Sequence, residues 1–247
     1  MLYPDFKSLR LGASEAYATV QCELRELNLD EVDRCPRTVL KRVVNNAAQH
    51  VLSFLIGFEI EVMFLVASSP QGVNEDLDFD VPQPKSQSHG YSSATPFHSP
   101  ATMSLLEDIL SHLENSGIEV EQWHAEGAAD QFEFCLPPEA PIAAVDTLLA
   151  ARDIIATVAA AHGRRATLHP KPFPDRLGSG AHMHFSMNPP EKANQVIAGM
   201  LKHMQAIMAF TYSKAASYDR IVDSMLAGSR YICWGTMNRE TTIRFIG

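Results

Sequence analysis

The chain has 247 residues, of which 46% are hydrophobic and 20% are charged, a composition typical of a globular protein with one large core or two small ones. Its formal net charge of −9 argues against a nucleic-acid-binding protein, and no apolar run is long enough to cross a membrane. The four cysteines show no paired spacing, which predicts reduced thiols and a cytoplasmic protein.

Strands and helices alternate along the first half of the chain. The segment AYATVQCEL (16–24) predicts a strand, and a helix opens at Pro36 and runs to residue 50. The apolar run GFEIEVMFLV (57–66) predicts a second, buried strand. Residues 68–100 are rich in Ser, Pro and Gln and predict a mobile loop, because structureless loops of this length are usually functional or disordered.

Three further helices are predicted in the second half. Their patterns place them at 102–117, 140–163 and 191–213, and the first two are closed by glycine. Helices that alternate with strand pairs predict an α+β fold, in which helices pack on one curved, mainly antiparallel sheet.

Two carboxylates lie within the apolar run 57–66. Side chains two residues apart in a strand point to the same face, so Glu59 and Glu61 share one face while Ile60 and Val62 share the other. Buried unpaired carboxylates are costly, and two on one face repel each other unless a cation lies between them. The pattern favours a cation site, and the alternative is an edge strand with two solvated glutamates.

A third acidic stretch, EVEQWHAEGAADQFEFCL (119–136), holds Glu121, His124, Glu126 and Glu133. Both of its ends have strand patterns, and a Gly-Ala-Ala-Asp connection joins them. This arrangement predicts a hairpin, which would bring Glu126 close to Glu133.

The segment TLHPKPFPDRLGSGAHMHFSM (167–187) leads through a Gly-Ser-Gly turn to His182 and His184. In an extended segment both imidazoles face one surface, and the glycines let the backbone come close to a ligand. Imidazole binds divalent metals when neutral and phosphate oxygens when protonated. The spacing alone is equally consistent with two strand histidines that have no such task.

Four carboxylates in these segments, Glu59, Glu61, Glu126 and Glu133, form a candidate ligand set with the two histidines His182 and His184. Hard oxygen ligands of this kind suit Mg²⁺ or Mn²⁺. Three arginines follow near the C-terminus, namely Arg220, Arg239 and Arg244. Taken singly, each is better explained as a surface residue. As a set they resemble the anion side of a nucleotide site, because guanidinium binds phosphate and carboxylate in a planar fork, and divalent ions with nearby arginines suit phosphoryl transfer.

Five motifs in this order resemble the catalytic domain of glutamine synthetase: GFEIEVMF, HAEGAADQFEF, ATLHPKP, GSGAHMHFS and NRETTIRF. The resemblance runs from about residue 4 to the C-terminus, and the stretch 217–244 is most similar to the glutamine-synthetase-like domain of fungal FluG-type proteins. It implies the fold of that catalytic domain, with residues 1–247 as a single domain.

The resemblance also implies roles for individual residues. It implies one metal held by Glu61, Glu126 and Glu133 and a second metal, which binds the nucleotide phosphates, held by Glu59 and His182. Contacts with ATP are implied for Glu121, His184, Ser186 and Arg244. Arg220 and Arg239 are the implied catalytic and substrate-binding arginines, and the backbone at Gly178 would hold the amino-acid substrate.

The implied activity is that of an ATP-dependent ligase of nitrogen metabolism and glutamine biosynthesis. Such an enzyme phosphorylates the γ-carboxylate of a glutamate-like amino acid and then forms an amide with ammonia or another amine. The ligands do not distinguish Mg²⁺ from Mn²⁺. Two alternatives stay open: a catalytically degenerate protein that binds metal and nucleotide and acts in regulation or on a partner, and a non-catalytic scaffold.

Departures from the family pattern modify this expectation. The N-terminal β-grasp domain of the family and its last metal-ligating segment have no counterpart, so we expect a C-terminally truncated domain with reduced activity. An apolar patch left uncovered would promote assembly into a homo-oligomer or with a protein partner. Leu177 replaces the usual asparagine, and Leu226 replaces the loop glutamate that takes a proton from ammonium, which favours another amine as acceptor.

Overall fold

The computed structural model describes residues 1–14, 16–67, 79–80, 94–174, 176–221 and 230–246. Most of the predicted loop at 68–100 lies outside these residues, as does Leu226. The chain forms two compact units, the first of Met1–Thr167 with Ala181–Met187 and the second of Leu168–Gly180 with Asn188–Gly247. The assignment of 1–247 to a single domain stays a prediction.

The first unit contains most of the strands and the three longest helices. Its elements are β1 (Leu2–Pro4), β2 (Arg10–Leu11), β3 (Ala18–Thr19), β4 (Cys22–Leu24), α1 (Pro36–Gln49), β5 (Ser53–Ala67), β6 (Phe79–Asp80), α2 (Pro100–Asn115), β7 (Gln122–Ala125), β8 (Gln131–Cys135), α3 (Pro141–Ala161), β9 (Arg164–Thr167) and β10 (Met183–Asn188). Short 3-10 turns cover Phe6–Ser8 and Thr95–His98.

A six-stranded sheet organises the first unit around the long strand β5. The strand order is β10-β5-β8-β7, and β6 and β9 also pair with β5. The pairs β5–β8, β5–β9, β5–β6 and β7–β8 are antiparallel. With helices α2 and α3 packed on it, this sheet confirms the predicted α+β class.

The core of the first unit lies between one face of this sheet and helices α2 and α3. Strand β5 contributes Ile60, Val62 and Phe64, and β8 contributes Phe132 and Phe134. All five side chains are at most 1% exposed, and burial of such a side chain stabilises the fold by about 1.5–3 kcal/mol. The opposite face of β5 therefore remains available for polar residues.

Local signals set the ends of the three long helices close to their predicted positions. Pro36, Pro100 and Pro141 each occupy the first turn, where a missing backbone N–H costs nothing. Gly117 and Gly163 follow α2 and α3 with φ angles of +69° and +68°, a conformation that favours glycine. In the described part of the chain, no helix combines the length and apolarity of a membrane span.

The prediction of one strand over 16–24 is wrong, because β3 and β4 are separate and pair with β2 and β1 respectively. The separation occurs at Gln21. Its N–H donates to Oγ of Ser8 at 2.8 Å, and its carbonyl accepts from the N–H of Asp5, also at 2.8 Å. The N–H of Gln21 is thus used by a side chain and not by a neighbouring strand, between the end of β3 and the start of β4.

The second unit contains smaller elements around a minor core. They are a 3-10 turn at Pro190–Lys192, helices α4 (Ala193–Lys202), α5 (Met204–Thr211) and α6 (Ala215–Asp219), and the parallel pair β11 (Trp234–Thr236) and β12 (Ile243–Phe245). Ile197, Met204 and Ile243 form its buried centre. The single helix predicted over 191–213 is wrong, since the carbonyl of His203 accepts from Ala206 and Ile207 and begins a new helix there.

Candidate functional site

Strand β5 presents its two glutamates on the face opposite the core, as the alternation predicts. Ile60 and Val62 are 1% and 0% exposed within the core, whereas Glu59 and Glu61 lie on the other side of the strand. Glu61 is nevertheless only 7% exposed, and Glu59 is half-buried. The edge-strand alternative with two solvated glutamates is therefore excluded for Glu61.

The predicted hairpin forms from β7 and β8, and its register sets the neighbours of β5. Glu133 on β8 lies opposite Glu61 on one side and opposite His124 on the other. Cross-strand neighbours of this kind have Cβ atoms roughly 5 Å apart. Three polar side chains therefore form a row across three adjacent strands.

Glu126 joins this row at the end of the hairpin. Its N–H donates to the carbonyl of Gln131 at 2.9 Å, and its Oε2 accepts from the N–H of Gly127 at 3.2 Å. Its Oε1 lies 3.8 Å from Nδ1 of His124. The hairpin thus brings Glu126 and Glu133 to the same histidine, His124.

The two histidines after the Gly-Ser-Gly turn meet Glu59 directly. Nδ1 of His182 lies 2.9 Å from Oε2 of Glu59 and 3.5 Å from Oε1 of Glu61. Nε2 of His184 lies 2.8 Å from Oε1 of Glu59. The N–H of Glu59 donates to the carbonyl of His182 at 3.1 Å, which anchors the histidine segment beside β5.

We call this group the carboxylate–histidine cluster. It comprises Glu59, Glu61, Glu126, Glu133, His182 and His184. Glu59, Glu133 and His182 each offer one donor atom, and these three atoms lie within 4.8 Å of one another. A mixed oxygen and imidazole donor set at this spacing suits a divalent cation such as Mg²⁺ or Mn²⁺.

The pKa values in the cluster reflect an excess of negative charge. Burial, followed by the charges of Glu59, Glu61 and Glu126, raises the pKa of Glu133 to about 7. Burial and then Glu61 also raise the pKa of Glu126. The pKa of Glu59 is lowered instead, chiefly by its hydrogen bond with His182 and then by that with His184. A bound cation would relieve the repulsion between carboxylates that helps to raise the pKa values of Glu133 and Glu126.

Three further side chains touch the cluster: His124, which the sequence singled out without a role, and Gln131 and Cys135, which sequence reasoning missed. Gln131 is 1% exposed, donates to Oε2 of Glu61 at 3.2 Å and accepts from the N–H of Ala128 at 2.9 Å. His124 lies 3.2 Å from Glu133, and Cys135 donates to Glu133 at 3.5 Å. Each lies two residues from Glu126 or Glu133 and therefore on the same face of the sheet. The period of two along a strand was the signal that could have assigned them to the site.

Two further residues of the first unit with implied nucleotide contacts are exposed. Glu121 precedes β7, and its N–H donates to the carbonyl of Cys135 at 3.0 Å. Ser186 lies on β10, two residues beyond His184. Their contacts with ATP stay predictions.

Within the second unit, Gly178 and Arg220 are neighbours. A Cβ atom at Gly178 would lie 2.2 Å from the carbonyl oxygen of Pro170 and 3.3 Å from Cγ of Arg220. The N–H of Ser179 donates to the same Pro170 carbonyl at 3.1 Å. The close approach explains why this turn requires glycine, and it brings together two of the residues with implied substrate contacts.

The other two arginines with implied roles, both in the second unit, are exposed. Arg239 lies in the turn between β11 and β12, and Arg244 lies on β12 opposite Gly235. Their roles, like those of Gly178 and Arg220, stay predictions.

The chain is similar to known proteins in both sequence and structure. The family model "Glutamine synthetase, catalytic domain" matches residues 33–247. Protein fluG of Emericella nidulans is 40% identical over 99% of this chain and 28% of its own length. Gamma-glutamylpolyamine synthetase GlnA3 of Streptomyces coelicolor is 30% identical over 99% of this chain and 54% of its own length.

A solved structure shares the fold. The glutamine synthetase of Plasmodium falciparum superposes with a TM-score of 0.83 at 20% identity, over 99% of this chain and 55% of that chain. The chain thus spans between about a quarter and just over half of the length of these proteins.

Proposed function

The chain belongs to the glutamine synthetase catalytic-domain family, and from this membership we propose that it acts as an ATP-dependent ligase. In the proposed reaction, an oxygen of the γ-carboxylate of a glutamate-like amino acid attacks the γ-phosphorus of ATP, and ADP leaves. An amine nitrogen then attacks the activated carbonyl carbon, phosphate leaves, and the nitrogen loses a proton to form the amide.

The observation that carries this proposal is the geometry of the carboxylate–histidine cluster. Donor atoms of Glu59, Glu133 and His182 lie within 4.8 Å of one another, and Glu61 lies 3.5 Å from His182. Carboxylates concentrated beside a buried sheet face are costly unless a cation neutralises them. The donor set of oxygens with one imidazole nitrogen fits Mg²⁺ or Mn²⁺.

We assign the two ions according to the family resemblance. Glu61, Glu126 and Glu133 would hold one ion, and Glu59 and His182 would hold the other. When bound, such ions neutralise charge on the phosphates of ATP and on the transferred phosphoryl group. Gln131 would orient a metal ligand without binding the ion itself, because its amide donates a hydrogen bond to the carboxylate of Glu61.

Roles toward the organic substrates are also proposals. Contacts with ATP are assigned to Glu121, His184, Ser186 and Arg244. Contacts with the amino-acid substrate are assigned to Gly178, Arg220 and Arg239, because guanidinium groups bind carboxylates in a planar fork and stabilise phosphoryl charge.

An amine larger than ammonia is the acceptor that we favour. Leu226 lies at the position where the family has a loop glutamate that takes a proton from ammonium, and an apolar side chain cannot act as that base. An alkylamine or polyamine fits this difference, and a relative at 30% identity is named a gamma-glutamylpolyamine synthetase.

Calorimetric titration with Mn²⁺, with and without ATP, tests the metal site. We expect wild-type binding that tightens with ATP and is lost in Glu61→Gln. The matched control is Glu107→Gln on α2, which removes an exposed carboxylate of the same unit and should leave binding unchanged. Absence of binding by the wild type would overturn the proposal.

Phosphate release distinguishes a ligase from the alternative, a degenerate protein that binds metal and nucleotide in regulation or with a partner. The chain would be incubated with ATP, Mn²⁺ and glutamate, together with ammonia, a short alkylamine or a polyamine. Amine-dependent release that Glu61→Gln abolishes would support the ligase. Metal binding without release in the presence of any amine would support the alternative.

A further inference from the structure

Three side chains with different donor atoms converge at the β7–β8 hairpin. His124 lies on β7, and Glu133 and Cys135 lie two residues apart on β8, so the latter two share one face of the sheet. An imidazole nitrogen, a carboxylate oxygen and the thiol sulfur of these residues all lie within 4.8 Å of one another. Only Glu133 belongs to the carboxylate–histidine cluster.

Two of the three separations between these atoms match a tetrahedral metal site. Nε2 of His124 lies 3.2 Å from Oε1 of Glu133, and Sγ of Cys135 lies 3.5 Å from the same oxygen. With Zn–N and Zn–O bonds of about 2.0–2.1 Å and a Zn–S bond of about 2.3 Å, tetrahedral angles give N···O and S···O separations of about 3.3 and 3.6 Å. These two separations fit a bound zinc ion, and the imidazole nitrogen and the sulfur lie within 4.8 Å of each other.

The backbone contact of His124 orients its ring for a metal. Nδ1 lies 3.2 Å from the carbonyl oxygen of Ala125, an arrangement in which Nδ1–H donates to that oxygen. In that tautomer Nε2 carries the lone pair that a metal needs, on the side of the ring that faces Glu133. A carbonyl that fixes the other ring nitrogen is typical of metal-binding histidines.

Two of the donors, His124 and Glu133, are buried, and the third, Cys135, is partly accessible to solvent. His124 and Glu133 are each 6% exposed, so their positions are held by packing. Cys135 is half-buried, which lets a water molecule complete the coordination, as in zinc sites with three protein ligands.

We propose that His124, Glu133 and Cys135 form a second metal site that binds Zn²⁺ or another thiophilic divalent ion and shares Glu133 with the carboxylate–histidine cluster. Thiolate sulfur selects zinc-like ions, whereas Mg²⁺ takes oxygen ligands. On binding, the S–H bond of Cys135 breaks, its proton leaves to solvent, and the sulfur electron pair forms the bond to the ion. No oxidation state changes.

Spectroscopy with Co²⁺ as a substitute for zinc tests the site on the reduced, purified chain. We expect a near-ultraviolet band from thiolate-to-cobalt charge transfer that disappears when Zn²⁺ displaces the Co²⁺. Cys135→Ser should lose the band and bind Zn²⁺ more than about tenfold more weakly. Cys22→Ser, which changes another half-buried cysteine on β4, should keep both properties. A wild-type protein without the band, or a band that persists in Cys135→Ser, would overturn the proposal.

Alkylation of the wild type gives an answer that does not depend on how the variants fold. Zinc should slow the reaction of Cys135 with iodoacetamide, measured by peptide mass spectrometry, and should leave Cys22 unaffected. Equal labelling with and without zinc would refute the site. Protection by Mg²⁺ as strong as that by zinc would assign the effect to the carboxylate–histidine cluster and would likewise overturn the proposal.

Discussion

Two groups of carboxylates in the first unit have opposite electrostatic settings. One is the carboxylate–histidine cluster. The other, which we call the charged network, joins three carboxylates to three cations: Asp5, Glu23 and Asp146 with Arg25, Arg37 and Lys41. Each carboxylate of the network has an arginine or lysine partner, whereas Glu59 and Glu133 in the cluster have histidine partners.

The pKa values of Asp5 and Glu23 in the network are lowered, whereas those of Glu126 and Glu133 in the cluster are raised. The hydrogen bond from Arg37 is the largest cause that holds the pKa of Asp5 at about 2, and the hydrogen bond from Lys41 lowers the pKa of Glu23. Burial and neighbouring carboxylates instead raise the pKa of Glu133 to about 7. Within the network the chain supplies its own countercharge, so ionisation is favoured there and disfavoured at Glu133.

This difference separates a structural role from a functional one. The charged network is satisfied by residues of the same unit and stabilises the packing of α1 against its neighbours. Among the described residues, no lysine or arginine forms an ion pair with Glu133 to neutralise the negative charge of the cluster. Such sites are candidates for binding an external cation.

The largest effect is expected from Arg37→Met. Nη2 of Arg37 lies 2.8 Å from Asp5 and 2.9 Å from Asp146, and its side chain is only 11% exposed. Its loss leaves buried Asp146 without its cation, which should lower the free energy of unfolding by about 3–5 kcal/mol. Urea unfolding monitored by circular dichroism measures this. A loss below about 1 kcal/mol would mean that the network does not stabilise the fold.

Unlike Arg37→Met, the substitution Glu133→Gln should increase the free energy of unfolding of the metal-free protein. The pKa of Glu133 is raised in the fold, so its ionisation opposes folding above about pH 7 and has no effect well below pH 4.5. After allowance for solvent screening, the substitution should increase the free energy of unfolding at pH 8 by about 1–2 kcal/mol. The same measurement at pH 4 is the control, because the side chain at position 133 is then mostly uncharged in both the wild type and the variant.

Added Mn²⁺ should reverse this order of stability. Wild type should gain about 3 kcal/mol at roughly a hundred times the dissociation constant, because the ion binds the folded state. Glu133→Gln lacks one proposed ligand and should gain much less. If both proteins gained equally, Glu133 would not be a ligand, and the contrast between the two groups would lose its functional meaning.

The charged network should also govern a step of acid unfolding. The pKa of Asp5 in the fold, about 2, is below its ordinary value of 3.8. Its contribution is therefore complete above pH 3.8 and is lost as the pH falls through 2. With screening at this partly exposed group, about 1 kcal/mol should disappear over that window. In Asp5→Asn, the free energy of unfolding should depend less on pH between 3.8 and 2 than in the wild type. An identical pH dependence in the two proteins would contradict the stabilising role of Asp5.

The cluster was more accessible to sequence reasoning than the network because its geometry follows from local rules. Alternation along one strand places Glu59 and Glu61 together, and a hairpin with a short connection brings Glu126 and Glu133 to the neighbouring strand. Their order along the chain also carries the family resemblance. The register that sets Glu133 opposite Glu61 could not be read from the pattern, since it depends on how the strands pair.

The network could not be predicted, because its members meet only through tertiary packing. Asp5 and Asp146 are far apart in the sequence and are joined by Arg37 on α1. Tertiary contacts also explain why the single strand predicted over 16–24 is wrong. The N–H of Gln21 donates to the side chain of Ser8, which no local pattern predicts. Helix ends were predictable because proline and glycine act within one turn.

The smallest effect is expected from Arg42→Met, the matched control for Arg37→Met on the same helix. Arg42 donates to Oδ1 of Asp33 at 3.0 Å and to its carbonyl at 2.8 Å, but the two side chains are 48% and 87% exposed. Water replaces both bonds at such a site, so the free energy of unfolding should fall by less than about 0.5 kcal/mol. A loss comparable to that of Arg37→Met in urea unfolding would show that burial does not distinguish the two pairs. The stability of the network would then have to come from the packing of α1 and not from its ion pairs.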